Sequence, residues 1–240
     1  MSFKPFNHVS KIVKIVTFAI MPVYQLIPEL IFPPVSAAEK DGLLAVGGDL
    51  SPDRVLYALS IGIFPWFDEC DYIMWWAPDP RFVIFPEKAK ISKSLRQSAK
   101  KFDSKINTDF DSVIKACADI KRPTQDGTWI SKGVINTYSI LHEYGYAYSF
   151  ETYDNNKLVG GLYGVLLDKI FIGESMFSIK PDASKVAFKS LVEFCVKNDI
   201  RVIDCQFHTK HLESLGGEYI TREEYSDYLS KFVKLPFTKK

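Results

Sequence analysis

The sequence predicts an α+β fold in which a small N-terminal domain precedes a larger domain built on a bent, mixed sheet. Three observations predict it. Residues 146–178 carry three successive strand patterns, "YAYSFETYD", "KLVGGLYGVLLD" and "KIFIGESMFS", with hairpin-length connections at Asn155 and Asn156 and at Asp168 and Lys169. A long helical pattern, "DASKVAFKSLVEFCVKND", then leads into the strand pattern "RVIDCQF". Such a strand–helix–strand crossover normally makes a parallel pair. Up to residue 80, by contrast, the elements are short and separated by proline and glycine. The expected divisions are an appended segment at 1–21, a small α+β domain at 22–80 and the larger domain at 81–240.

Taken in order, residues 9–27 are apolar with flanking lysines and no acid, a composition close to a secretory signal. Lys14 interrupts the run, Pro22 follows it and no small-x-small cleavage site is evident, and the run is too broken to span a bilayer. It reads as an appendage and not an anchor, with Met21 as an alternative start. "GLLAVGGDL" reads as a strand closed by a Gly-Gly turn. "SPDRVLYALSIG" reads as a helix with Ser51 as N-cap, Pro52 at its first position and Val55, Leu56 and Leu59 on one stripe. Helical patterns follow at "SKSLRQSAKKF", "DFDSVIKACADI" and "SKGVINTYSILHEYG", ahead of the strands. No internal repeat or low-complexity tract interrupts the series.

The chain has 240 residues, 47% of them apolar and 25% charged, which is ordinary for a soluble globular protein. A net charge of +1 provides no global attraction to nucleic acid or membrane, so such binding needs a local patch. Cys70, Cys117, Cys195 and Cys205 form no C-x-x-C pair, which points away from zinc and from a disulfide framework. Free thiols suggest a reducing cytoplasm.

Four features carry candidate chemistry. "GIFPWFDECDYIMWWAPDPR" holds Trp66, Trp75 and Trp76 among prolines 65, 78 and 80, either a packed corner between domains or a platform for a flat ligand. In "RVIDCQF", alternation puts Asp204 and Gln206 on one face and Cys205 with apolar neighbours on the other. The pair is either a ligand site at a strand's C-terminal end or a satisfied polar pair, and a Cys205–His208 nucleophile would need the wrong face. Gly160, Gly161 and Gly164 weaken one strand, as happens where ligand or backbone comes close, and Glu174 stands in the apolar run that follows. A carboxylate there needs a salt-bridge partner or a function. Lys88, Lys90, Lys93, Arg96, Lys100, Lys101 and Lys105 are opposed by only Glu87 and Asp103 in that stretch, and Lys121, Arg122 and Lys132 extend them. This is either a solvated helix face or an RNA-backbone contact. His208 and His211 lack a third metal ligand.

Together, "GLLAVGGDLSPDRVLYALSIGIFPWF", "WWAPDPR", "GTWISKGV", "VGGLYGV", "GESMFS" and "IDCQF…HLESLG" closely resemble the leucyl/phenylalanyl-tRNA–protein transferase family, in order and at family-like spacing from about residue 32 to 229. The resemblance implies an acetyltransferase-like (GNAT) larger domain. It implies transfer of leucine or phenylalanine, and less well methionine, from aminoacyl-tRNA to proteins beginning with Arg or Lys, which marks them for N-end-rule degradation. It also implies a cytoplasmic enzyme working off the membrane, read here as a monomer, with no cofactor and no metal. "SIKPDASK" stands where a CoA-using relative carries its pyrophosphate loop, which argues against an N-acetyltransferase. A non-catalytic RNA- or peptide-binding module is the other rival, and there Asp204 would be structural.

By position, the resemblance gives Trp66 and Trp129 to the 3′ adenosine and aminoacyl group, with Trp66 stacking on adenine and Trp75 and Trp76 closing the seam between domains. It gives Asp204 and Gln206 to attracting and orienting the acceptor amine, and Glu174 to ordering the site or meeting the acceptor's basic first residue. Leu162 and Met176 are expected to line the donor side-chain pocket. Phe171, Phe177 and Phe188 are further candidates, although alternation denies the first and second a place on Met176's face. Lys88, Lys90, Lys93, Arg96, Lys100 and Lys101 are expected to hold the tRNA backbone.

Overall fold

The computed structural model describes residues 13–14, 23–68, 72–120 and 128–234. The appended segment other than residues 13–14, Met21, Cys70, Lys121 and Arg122 lie outside the described residues. The first sheet has strand order β1-β2-β3-β5-β4, from β1 (Val13–Lys14), β2 (Tyr24–Leu26), β3 (Leu43–Gly47), β4 (Phe64–Pro65) and β5 (Met74–Trp76). Helix α1 (Pro52–Ser60) packs Val55, Leu56 and Leu59 inward, as its stripe predicts. Ser51 occupies the N-cap position, but its hydroxyl makes no capping bond, and its N–H goes to Asp49 Oδ1 at 2.8 Å.

The second sheet has order β12-β6-β11-β10-β9-β8-β7. In chain order its strands and the helices around it are β6 (Arg81–Ile84), α2 (Lys93–Ala99), β7 (Asp103–Ile106), α3 (Phe110–Asp119), α4 (Lys132–Glu143) and β8 (Ala147–Asp154). After these come β9 (Lys157–Leu167), β10 (Ile170–Ser178), α5 (Ala183–Lys197), β11 (Val202–Asp204), α6 (Lys210–Ser214), β12 (Glu218–Ile220) and α7 (Arg222–Phe232). The β8–β9 and β9–β10 hairpins form as expected. Asn155 (φ 49°), Asn156 (φ 61°) and Asp168 (φ 49°) take the left-handed backbone that tight hairpin turns demand. The crossover through α5 makes β11 parallel to β10.

One face of this sheet shares a core with α1, α3, α4 and the first sheet, including Trp75, Val113, Tyr138, Tyr163, Ile172 and Phe177. The other face packs under α5 through Phe171, Phe188, Leu191, Cys195 and Ile203. Two expectations are corrected. The helix expected through Phe102 ends at Ala99, because Asp103–Ile106 pairs antiparallel with β8, opposite Tyr153 to Phe150. The strand expected through Phe207 ends at Asp204, since Gln206 has φ 58° and cannot continue a regular strand.

Candidate active site

β10 and β11 pair only where Ile170, Phe171 and Ile172 face Val202, Ile203 and Asp204. Beyond that point β10 stays with β9 as far as Ser178, while Cys205 gives its N–H to Phe82 O in β6. A gap therefore opens between the parallel strands. A bulge sits at its mouth: Gly173 pairs with Gly164 and Ser175 with Tyr163, leaving Glu174 as the extra residue. The bulge also reverses the expected alternation. Phe171 joins Leu162 and Phe188 on the α5 side, where Met176 also packs, while Phe177 joins the opposite core. Exclusion of Phe171 from Met176's side is thus overturned, and exclusion of Phe177 holds.

Asp204 and Gln206 do not share an open face. Asp204 is fully buried, and each of its oxygens accepts two hydrogen bonds. Oδ1 accepts from Arg81 Nε at 2.8 Å and from the Gln206 N–H at 3.0 Å, while Oδ2 accepts from Arg81 Nη2 at 2.7 Å and from the Tyr225 hydroxyl at 2.9 Å. No oxygen is left to take an acceptor ammonium, so the expected direct contact is corrected. Gln206, with its left-handed backbone, instead swings its side chain into the gap and donates Nε2–H to Gly173 O at 2.9 Å. Its Oε1 has no protein partner among the described residues.

Glu174 points into the same gap. Its Oε1 and the Tyr138 hydroxyl are buried and, among the described residues, have no hydrogen-bond partner. Burial pushes the Glu174 carboxyl from its usual 4.5 up to about 8, helped by the Asp204 charge. Tyr138, nearby but outside hydrogen-bonding geometry, and the Arg81 cation pull it back down. The salt-bridge alternative is not what is built, because Arg81 spends its fork on Asp204. At neutral pH burial favours the uncharged form of this carboxyl.

A cavity of about 340 Å³ opens on this gap. Leu162, Met176, Phe188, Leu191 and Ile203 form its apolar wall, and Glu174, Gln206 and His211 its polar one. Leu162 and Met176 are cross-strand partners, so both expected pocket residues meet there. Cys205 lines the cavity too, but burial drives its thiol pKa upward, which disfavours a nucleophilic thiolate. His208 pairs with Glu213 at 3.0 Å, while burial and then the Lys185 charge lower His211, leaving a neutral ring at the cavity. Among the described residues no group of three or more His, Cys, Asp and Glu side chains is arranged to hold a metal. A larger cavity, about 500 Å³, lies at the opposite end of β11 and is lined by Ile200, Arg201 and Tyr228, away from these groups.

Trp66 lies outside the cavity lining, 37% exposed, with its ring 5.6 Å from Trp76 and 5.4 Å from Phe207. Since Phe207 follows Gln206, the aromatic cluster abuts the gap and joins the two sheets. Trp75 is a core residue whose Nε1–H goes to Gly47 O at 2.8 Å. Trp129 is half-buried against the shared core and is not part of the lining. Lys90, Lys93, Arg96, Lys100 and Lys101 are exposed, whereas Lys88 is tied to Glu218 at 2.7 Å. The glycines serve packing: an added Cβ would sit 2.5 Å from Ala183 Cβ at Gly160 and 2.2 Å from Ile172 O at Gly164.

Arg81, Tyr225 and Tyr138 are the site residues that sequence reasoning missed. Arg81 carried one usable signal, a lone charge heading the apolar run "RFVIF". The tyrosines carried none.

No helix among the described residues is long and apolar enough to cross a membrane. Residues 83–230 match the family model described as leucyl/phenylalanyl-tRNA protein transferase, and residues 48–79 match that of its N-terminal domain. The leucyl/phenylalanyl-tRNA–protein transferase of Syntrophobacter fumaroxidans is 50% identical over 89% of this chain and 92% of its own length. That of Syntrophus aciditrophicus is 49% identical over 90% of this chain and 91% of its own. With half the residues identical across nearly the whole length of both partners, the chain belongs to the leucyl/phenylalanyl-tRNA–protein transferase family and is an aminoacyltransferase.

Proposed function

We propose that the chain moves leucine or phenylalanine, and less readily methionine, from aminoacyl-tRNA to proteins whose first residue is Arg or Lys, marking them for N-end-rule degradation. The observation that carries this reading is one cavity with an apolar wall facing Glu174 and Gln206. At about 340 Å³ it stands near the lower end of ligand pockets, about 300–1,000 Å³, room for an amino-acid side chain with the adenosine held outside. Apolar walls discriminate by only about 1–3 kcal/mol per methylene, in keeping with a relaxed choice among unbranched-Cβ side chains.

The ester linking amino acid and ribose is already activated, so the chemistry asks for no cofactor. The acceptor's amine attacks the ester carbonyl, the amide C–N bond forms and the C–O bond to ribose breaks. One proton leaves nitrogen, and one ends on the departing ribose oxygen. Gln206 Oε1 accepts a hydrogen bond from the attacking amine and orients it. Glu174, whose neutral form burial favours, ionises as the acceptor's cationic first residue approaches and pairs with it, releasing its proton to solvent. Tyr138 supplies the nearby phenol. Asp204 acts from beneath, through the Gln206 N–H.

Trp66 stacks on the terminal adenine, a contact of about 1–3 kcal/mol, and Trp129 borders the aminoacyl-adenosine. The exposed Lys90, Lys93, Arg96, Lys100 and Lys101, with Lys88, hold tRNA phosphates. The reading includes domains at 22–80 and 81–240, the second with acetyltransferase-like topology, supported by the parted parallel strands and their bulge. Acetyl-CoA is disfavoured as donor because the α5 N-cap is Asp182, whose carboxyl is held low in pKa by Ser98, Lys185 and Lys101. That charge repels a pyrophosphate. A puromycin-like aminoacyl-adenosine analogue should raise the melting temperature and acetyl-CoA should not. The reverse result would return the chain to the acetyltransferases.

A further inference from the structure

We propose that Tyr225 of α7, together with Arg81, is a positioning residue for aminoacyl transfer, holding Asp204 so that Asp204 in turn keeps the Gln206 side-chain carbonyl in the cavity. The proposal rests on the role given above to Gln206.

Gln206 occupies a backbone region (φ 58°) that non-glycine residues rarely adopt without an external hold. Two bonds hold it. Its N–H goes to Asp204 Oδ1 at 3.0 Å, and its Nε2–H reaches across the gap to Gly173 O at 2.9 Å. With one Nε2–H given to Gly173 O, Oε1 is the amide's acceptor atom for a substrate amine. The first bond survives only while the Asp204 carboxylate keeps its orientation, and Asp204 itself does not line the cavity. Arg81 and Tyr225 fix it from behind.

Tyr225 acts twice. Its hydroxyl donates to Asp204 Oδ2 at 2.9 Å, and its ring lies 4.6 Å from the Arg81 guanidinium, which also lies 4.8 Å from the Phe64 ring. Arg81 also donates Nη1–H to Gly62 O at 3.1 Å. The helix that carries Tyr225 is itself anchored. Its first turn has a Thr221–Glu224 capping box, the Arg222 N–H meets Asp79 Oδ1 at 3.1 Å, and Arg222 Nη1 meets Ala77 O at 2.9 Å. A continuous set of hydrogen bonds thus runs from the segment joining the two sheets, through α7, to the amide in the gap. Neither Tyr225 nor Arg81 lines the cavity, so their effect on the reaction passes through Gln206.

The test is Tyr225→Phe, which keeps the ring over Arg81 and removes only the hydroxyl. Single-turnover transfer from Leu-tRNA to an Arg-initiated peptide should slow by about tenfold, with Kd for Leu-tRNA nearly unchanged and the protein still folded at the assay temperature. In a Gln206→Ala background the same substitution should have no further effect, the non-additivity expected of residues acting as one unit. The 15N-labelled side-chain amide of Gln206 should shift its resonances in Tyr225→Phe, a readout that does not need residual activity in Gln206→Ala. An unchanged rate, an equal loss in both backgrounds, an unmoved Gln206 amide, or a loss that tracks tRNA affinity would each overturn the proposal. A wild-type enzyme that transfers nothing overturns the proposed function beneath it.

Discussion

Asp204→Ala is expected to damage the fold as well as the reaction. Asp204 is 0% exposed and Arg81 2% exposed, and the pair is joined at 2.8 and 2.7 Å. Removing the carboxylate strands a guanidinium in the interior and leaves the Tyr225 hydroxyl without its acceptor. Breaking such a pair from one side is worth about 3–5 kcal/mol. That is a large part of the about 5–15 kcal/mol by which a folded domain exceeds its unfolded chain. For a chain of this size each kcal/mol moves the midpoint by about 2–4 °C, so the melting temperature should drop by about 6–20 °C. Thermal unfolding followed by circular dichroism reads that shift, and single-turnover transfer well below the transition reads the reaction. Replacing both partners, Arg81→Met with Asp204→Leu, should recover most of the stability and none of the transfer, because the Gln206 N–H stays unheld. A fall of less than about 2 °C in Asp204→Ala would refute the reasoning, since the carboxylate could not then be the hub of a closed buried network.

Other perturbations separate the remaining parts. Glu174 is raised to about 8 from 4.5, so between those values the folded state binds a proton that the unfolded chain has lost, and stability declines as pH rises through that window. Glu174→Gln should flatten the decline in urea midpoints, and an identical slope would contradict the assignment. In wild type the KM for an Arg-initiated peptide should fall as pH climbs through about 8, a trend that Glu174→Gln should weaken. Gly160→Ala puts a methyl 2.5 Å from Ala183 Cβ and should destabilise by about 1–3 kcal/mol without changing KM for tRNA; a raised KM would restore a ligand-facing role. Reversing Lys93, Arg96 and Lys100 to Glu should weaken binding of all tRNAs alike and flatten its salt dependence, whereas an unchanged slope would return the stripe to a solvated helix face.

What could be read from the sequence was local. The hairpins show because Asn155, Asn156 and Asp168 are residues that tolerate left-handed backbone. The α5 crossover shows because a long amphipathic run separates two strand patterns. Leu162 and Met176 could be placed by register. The strands β4, β5 and β6 were hidden by their shortness, two to four residues in a proline- and tryptophan-rich run that shows no period. β7 has no sequence signal because "DSKI" shows no apolar alternation, and only its partner β8 makes it a strand. The bulge at Glu174 leaves no mark that alternation can detect, yet it decides which phenylalanine shares a side with Met176. The Arg81–Asp204 pair spans 123 residues, so no local signal tells a buried, closed carboxylate from one open to substrate.

The most direct test of the central claim is transfer itself. Purified protein is incubated with radiolabelled Leu-tRNA and two peptides, one beginning with Arg and one with Ala, beside a tube of RNase-treated donor. Label moving to the Arg peptide alone, and only from intact Leu-tRNA, is the predicted result. Absence of transfer from well-charged Leu-, Phe- and Met-tRNA would contradict it, and label on the Ala peptide to the same extent would remove Glu174 from acceptor choice.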